Sequence, residues 1–309
     1  MRLYLADERY MSTPARFVHN SPVTAAFCLA TALFVGCSHV PSNGLSGSAV
    51  EAPKRILFFS KSSGFQHDMI EQANGQPSPA QEILERLGTS NNIEFTFTKD
   101  GSLFTPENIA KYDAFCFYTT GDLTTIGDDH APAMTKEQKA AFLVAIHNGK
   151  GFVGIHCATD TFHSGSRGVD PYIKMIGAEF VTHDGHVPGH LIVEDRNFPG
   201  MSKVPDDFGP PEEWYSLKNF SPNIHVLLAH DTAKMGRQSP YDRPNYPETW
   251  AQAYGQGRVF YTSMGHRLDV WQNAVFQDIL VGGLKWADGD VGADVTPNID
   301  KVTPQANTP

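Results

Sequence analysis

The feature that most constrains this chain is the alternation, over residues 54–155, of short apolar runs with segments of helical periodicity. Lys54-Arg-Ile-Leu-Phe-Phe-Ser60, Ile93–Thr98, Tyr112–Tyr118 and Gly151-Phe-Val-Gly-Ile155 read as strands. The first, third and fourth are continuously apolar, the pattern of a strand covered on both faces. Between them, Pro79–Leu87 spaces Ala80, Ile83, Leu84 and Leu87 as a helix does and stops at Gly88. Pro106–Lys111 reads as a short helix, and Thr135–His147 gathers Phe142, Leu143 and Ile146 on one side before Gly149. Strand, helix, strand at this spacing requires crossover connections, and therefore a parallel sheet with helices on its faces. After residue 178 the rhythm changes to strand-like pieces at Leu191–Glu194, Trp214–Leu217, His225–Ala229, Thr249–Tyr254 and Arg258–Thr262, closed by a helix over Val270–Trp286. The expected fold is α/β: one domain over 54–287, a doubly wound, mostly parallel sheet with an added strand-rich segment. Ligands of such sheets sit beyond the carboxyl ends of the strands, which directs attention to the loops there.

Composition narrows the function classes. The chain carries 34 acidic against 24 basic residues, a net charge of −10, so it lacks the basic surplus that a nucleic-acid partner requires. Hydrophobic residues make up 40%, 20 of them Phe, enough for a large core and too many for a disordered chain.

The ends read differently from the middle. Arg16 and His19 precede an apolar run, Val23–Gly36, of the length of a signal-peptide core and too short to span a bilayer comfortably. Phe34-Val-Gly-Cys37 resembles a bacterial lipobox, with Phe in place of the more usual Leu. Residues 1–36 are thus expected to be a lipoprotein-type signal peptide, with Met1 or Met11 as the start, and 37–53 a polar tether. The protein would be exported and held at the periplasmic or outer membrane face only through a lipid on Cys37; a soluble periplasmic protein is the alternative. Residues 288–309, rich in Pro, Asn and Thr, are expected to be a disordered tail. Cys116 and Cys157 lie in apolar strand-like runs and are expected to be free buried thiols.

Histidines carry the chemistry. Five of the 13 fall between His156 and His190, with Asp160, Asp170 and Asp184 among them. Imidazoles and carboxylates offer lone pairs to a divalent metal and titrate near neutrality. His156 follows a buried strand directly, on the turn that in related folds lifts a nucleophile clear of the sheet. Cys157, beside it, lacks an obvious imidazole partner. His183-Asp-Gly-His186-Val-Pro-Gly-His190 is a turn-rich segment that matches no zinc motif of known spacing. His67 follows the first strand, Glu212-Glu213 precedes an aromatic strand as either a general base or a solvated corner, and His266 ends a β-branched and aromatic strand. Several strands thus end in a histidine at one edge.

Taken together, Ser63-Gly-Phe-Gln-His67, Gly154-Ile-His-Cys-Ala-Thr-Asp-Thr-Phe162, Ile176-Gly-Ala-Glu-Phe-Val-Thr-His183, Gly257-Arg-Val-Phe-Tyr-Thr-Ser-Met-Gly-His266 and Leu284-Lys-Trp-Ala287 resemble the ThuA-like family, named for trehalose utilisation. The resemblance runs over about 54–287. It implies a flavodoxin-like fold similar to class I glutamine amidotransferases, with His156 where those enzymes carry the nucleophilic cysteine, so glutamine hydrolysis is not expected. It implies catabolism of sugars and 3-keto sugars, beside a sugar oxidoreductase and with no nucleotide cofactor. Carried over, the site positions are His67, His156, Asp160, His183, Glu213 and His266. The chain departs from the family pattern at Glu212, often Asp, and at Tyr246-Pro-Glu-Thr-Trp250, where a His-Pro is often found and one ligand is lost.

On this reading the protein is an exported enzyme acting on keto-sugar derivatives of glycosides, by elimination, hydrolysis or isomerisation. His156 and His266 are expected to hold a divalent metal (zinc, manganese or nickel), Glu213 or Asp160 to act as base, and His67 and His183 to support them. Phe65, Phe162, Trp214 and Trp250 are candidates to stack on a sugar or to fill the core. A non-catalytic carbohydrate-binding lipoprotein and a metal-dependent hydrolase of another ester or amide are the alternatives.

Overall fold

The computed structural model describes residues 51–166, 168–236 and 240–308. The expected signal peptide, and the tether as far as residue 50, lie outside them. Eight strands form one sheet: β1 (Lys54–Phe59), β2 (Ile93–Thr98), β3 (Ala114–Phe117), β4 (Gly151–Ile155), β5 (Leu191–Val193), β6 (His225–His230), β7 (Pro247–Tyr254) and β8 (Gly257–Thr262), in the order β2-β1-β3-β4-β8-β7-β6-β5. From β2 to β8 the neighbours are parallel; β7, β6 and β5 then add on antiparallel. The α/β, mostly parallel, doubly wound sheet with an added strand-rich segment is thus present.

Local chemistry explains the helices. In α1 (Pro79–Ser90), Ser78 accepts from the Gln81 amide and Pro79 occupies the first turn, where its missing N–H costs nothing. In α2 (Lys136–His147), Thr135 and Gln138 close a capping box. The expected last helix is two: Leu268–Trp271, then Ala274–Ala287 capped by the Asn273 side chain. An Asn that bonds its own following amide competes with helix continuation, which the apolar periodicity across it did not register. Gly283 lets the longer helix lie on the sheet, since a Cβ there would fall 2.5 Å from the Phe260 ring. Under α2, Phe104, Phe115, Phe117, Phe142 and Phe152 form one aromatic cluster, with Phe117 and Phe142 stacked at 5.0 Å. Each such ring contributes about 2–3 kcal/mol of burial.

The tail expectation needs correcting. Residues 290–308 pack along β6 and β8, and Ile299 and Ala306 are buried. Asn298 bonds both the N–H and C=O of Val226, and Asn307 does the same for Phe220. Asparagine side chains here mimic a strand neighbour, a device with no hydrophobic period to betray it.

Candidate metal centre

The site lies at the carboxyl ends of β1, β3, β4 and β8. His67 follows β1; His156 follows β4; His266 follows β8. Between β4 and β6 the chain makes an excursion in which Glu179–His183 pairs antiparallel with Tyr215–Lys218, and Val187–Pro188 with Pro211–Glu212. That excursion brings Glu213 and His183 over the sheet edge.

His67, His156, Glu213 and His266 converge: one donor atom from each lies within 4.8 Å of the others. Glu213 Oε2 stands 3.1 Å from His266 Nδ1 and 3.5 Å from His156 Nε2, and the two imidazole nitrogens are 3.3 Å apart. Two atoms that share a cation with bonds near 2.1 Å stand at most about 4.2 Å apart, so a small inward movement would let the four residues hold one ion. His67 is buried, and its Nδ1 has no hydrogen-bond partner among the described residues. A buried ring nitrogen without a partner, on an imidazole packed edge-on against His156 and His266, is what a metal site leaves when only the protein is considered. Three imidazoles and one carboxylate suit zinc, nickel or manganese.

The electrostatics agree with the geometry. Burial, aided by His156 and His266, depresses the His67 pKa to about 2, so its ring is neutral with a lone pair to give. Burial works against the charge on Glu213, but the His156 and His266 imidazoles beside it hold its carboxyl well below the usual range. Burial would likewise lower His266, yet Glu213 raises it.

His156 is held from behind. Its Nδ1 is 2.7 Å from the Ser263 carbonyl, which can only accept, so Nδ1 carries the proton and Nε2 faces Glu213. The Tyr261 hydroxyl donates to the His156 carbonyl, and Tyr215 lies against the imidazole at 4.3 Å. The backbone at His156 has φ +46°, a left-handed conformation that costs an L-residue roughly 1–2 kcal/mol. Gly265, at φ +122°, gives the turn before His266.

Of the positions read from sequence, the structure brings His67, His156, Glu213 and His266 into one group. Glu213 stands among the three histidines, and His67 belongs to the same close group as His156 and His266. His183 is 3.3 Å from the other carboxylate oxygen, Glu213 Oε1, and 40% of its side chain is exposed. Asp160 is not in the group; it bonds His163 Nε2 at 2.6 Å. It stands four residues past the elbow, at the end of a 3-10 turn that carries it away from the cluster. His186 contacts the His266 ring at 4.8 Å and Arg267, whereas His190 pairs with Asp207. Cys116 and Cys157 are free and buried, and burial pushes both thiols up, against a nucleophilic Cys157. Trp214, Trp250 and Phe162 are core residues; Phe65, 61% exposed, leans edge-on against His67 at 4.9 Å.

Two clefts open on the group. One, of about 420 Å³, is lined by His183, Asp184, His186 and Glu213; the other, of about 530 Å³, by Asp68, Met69, His186, His266, Arg267 and Asp269. Hollows of about 600 and 620 Å³ around Lys218 and Asn307 contain none of the four clustered residues. Sequence reading passed over Glu248 and treated Glu212 as one of a pair of adjacent acids; both prove to be buried anchors of the Ser263–His266 turn. A single charged residue inside an otherwise uncharged strand, as in Pro247–Tyr254, was the available signal.

Comparison with known proteins follows the same outline. The family model described as trehalose utilisation matches residues 55–287. A ThuA-like protein from Bacteroides uniformis superposes with TM-score 0.59 at 19% identity, covering 79% of this chain and 95% of its own. One from Parabacteroides merdae gives 0.57 at 16%, covering 81% and 96%. No curated protein matches the chain. The chain belongs to the ThuA, or trehalose utilisation, family.

Proposed function

We propose that this protein is a metal-assisted enzyme of carbohydrate catabolism that acts on keto-sugar derivatives of glycosides. The observation that carries the reading is the convergence of His67, His156, His266 and Glu213 at the sheet edge, beside the exposed His183. The four would hold a divalent cation, which supplies charge stabilisation for an oxygen that becomes anionic. His183, reaching the cleft from the far side of Glu213, is placed to exchange a proton with bound substrate. A ketone at C3 of a glycoside acidifies the proton on C2. His183 as base takes that proton; the electron pair forms the enolate, and its collapse expels the glycosidic oxygen from C1. The same imidazole, now protonated, returns the proton to the departing oxygen, so the step is an elimination with no net redox change. Water adding to the unsaturated product completes a net hydrolysis. The ketone requires a preceding oxidation, so a sugar oxidoreductase is the proposed pathway partner. Phe65, exposed beside His67, offers a face for a sugar ring.

Export as a lipoprotein on Cys37 is part of the same proposal. It rests on the Val23–Cys37 segment alone.

The test begins with metal content of the purified protein and of His156→Ala and His266→Ala. Near-stoichiometric zinc, manganese or nickel in the parent and its loss in both variants supports the site; keto-disaccharides are then assayed for release of the second sugar. A parent that takes up no metal after supplementation refutes the metal-assisted reading and favours a binding protein.

A further inference from the structure

Four consecutive backbone N–H groups, from Ser263 to His266, end on two glutamate side chains. Glu248 Oε1 accepts from Ser263 N at 2.9 Å and Met264 N at 3.0 Å, and from the Ser263 hydroxyl at 2.9 Å. Glu212 Oε2 accepts from Gly265 N at 2.9 Å and His266 N at 3.2 Å, while its Oε1 accepts from Glu213 N at 2.9 Å. Both glutamates are fully buried. A buried carboxylate is costly unless donors converge on it, and here the donors are the turn that ends in His266. That turn also presents the Ser263 carbonyl, the acceptor that fixes the His156 proton on Nδ1. One carboxylate thus ties Glu213 to His266, and the other governs the partner of His156.

We propose that Glu212 and Glu248 are positioning residues that preset three of the four donors, His156, Glu213 and His266, before any ligand arrives. The inference rests on the metal reading above, but its geometry is independent of a bound ion. Two rival roles exist. The glutamates could only satisfy buried amides, or they could act as additional negative charges attracting the cation. The Gln and Asp variants separate these. Glu→Gln keeps the length and removes charge and one acceptor; Glu→Asp keeps the charge and withdraws it by one methylene.

The experiment uses the full chain. Zinc affinity is measured by competition with a chromophoric chelator, and histidine tautomers by nitrogen-15 NMR of the metal-free protein. Leu84→Ala, a core deletion in α1, serves as the stability control. Expected are a 10- to 100-fold loss of zinc affinity in Glu212→Gln and Glu248→Gln, as outer-shell changes produce, and a comparable loss in Glu212→Asp and Glu248→Asp. Leu84→Ala should keep the parent's affinity. In Glu248→Gln the single Nδ1–H tautomer of His156 should become a mixture. Asp variants that bind zinc as the parent does would overturn positioning in favour of charge; an equal loss in Leu84→Ala would reduce the effect to stability. If the parent binds neither zinc nor, after supplementation, manganese or nickel, the metal reading fails, and the tautomer decides alone: an unchanged His156 in Glu248→Gln overturns the proposal. Should Glu248→Gln not fold, Ser263→Ala, which removes one donor to Glu248, gives the same readout.

Discussion

His230 offers a quantitative test of how burial sets the acid stability of this fold. It ends β6, is fully buried between Trp214 and Tyr246, and neither ring nitrogen has a partner among the described residues. Burial, aided by Arg243, lowers its pKa to about 3. The native state therefore stays neutral where the unfolded chain, near its ordinary 6.5, takes up a proton. A base with a depressed folded pKa contributes no penalty above pH 6.5 and loses stability as pH falls from there toward 3. The slope is about 1.4 kcal/mol per pH unit per group, so by pH 4.5 His230 alone removes about 2.7 kcal/mol. His230→Leu eliminates the proton and replaces an unpaired polar ring by an apolar side chain, a change that is nearly neutral or stabilising at pH 7.5. Urea unfolding of parent and variant at pH 7.5, 6.0, 5.0 and 4.5 should show the gap widening by about 2–3 kcal/mol in favour of the variant. His67, depressed to about 2, continues to act in both proteins, so the acid limb flattens without vanishing. Parallel curves, with the gap changing by less than about 1 kcal/mol, would refute the reasoning, because His230 would then be solvated or partnered in the native state.

Other outcomes follow from particular contacts. Asp288, whose Oδ2 is buried without a partner among the described residues, has its pKa raised from 3.8 to about 6, mainly by burial. An acid with a raised folded pKa costs stability progressively as pH rises from the unfolded to the folded value and fully above the latter, so Asp288→Asn should gain at most about 3 kcal/mol at pH 7.5 and almost nothing at pH 4 in the same urea assay. Because Glu213 raises the His266 pKa, a metal must displace that proton. Zinc affinity should fall about tenfold per pH unit below the His266 pKa, read by chelator competition between pH 5 and 8. Glu213→Gln should weaken zinc binding more than 100-fold, roughly, exceeding the loss from an outer-shell change, while Asp160→Asn leaves it unchanged in equilibrium dialysis. Gly283→Ala should cost about 1–3 kcal/mol in urea unfolding through the clash with Phe260 and leave metal content intact.

The parallel half of the fold was legible because its strands are short apolar runs between capped helices, and each boundary residue, such as Ser78 or Thr135, has a local reason to sit where it does. The site was legible as histidines at strand ends, since the sheet topology alone brings His67, His156 and His266 to one edge. What was not legible is contact across long separations. Asp160 looked equivalent to Glu213 in the sequence, and only the excursion paired against Val187–Pro188 decides that Glu213 reaches the imidazoles. Asn298 was invisible for the same reason: its partner lies far along the chain, and no periodicity announces it.

The packed segment beyond the last long helix has a consequence for synthesis. Arg243 donates both to Leu217 on the excursion's second strand and to Ala306, and Asn307 clips Phe220 just beyond that strand. The strand that positions Glu213 is therefore latched by residues made after every other part of the site. While the chain grows from amino to carboxyl end, the five parallel strands could find one another. The donor group, however, would stay incomplete until residues 298–307 had emerged and latched that strand. Metal capture would then follow the synthesis of this segment, and a cation met earlier would find no complete site to enter.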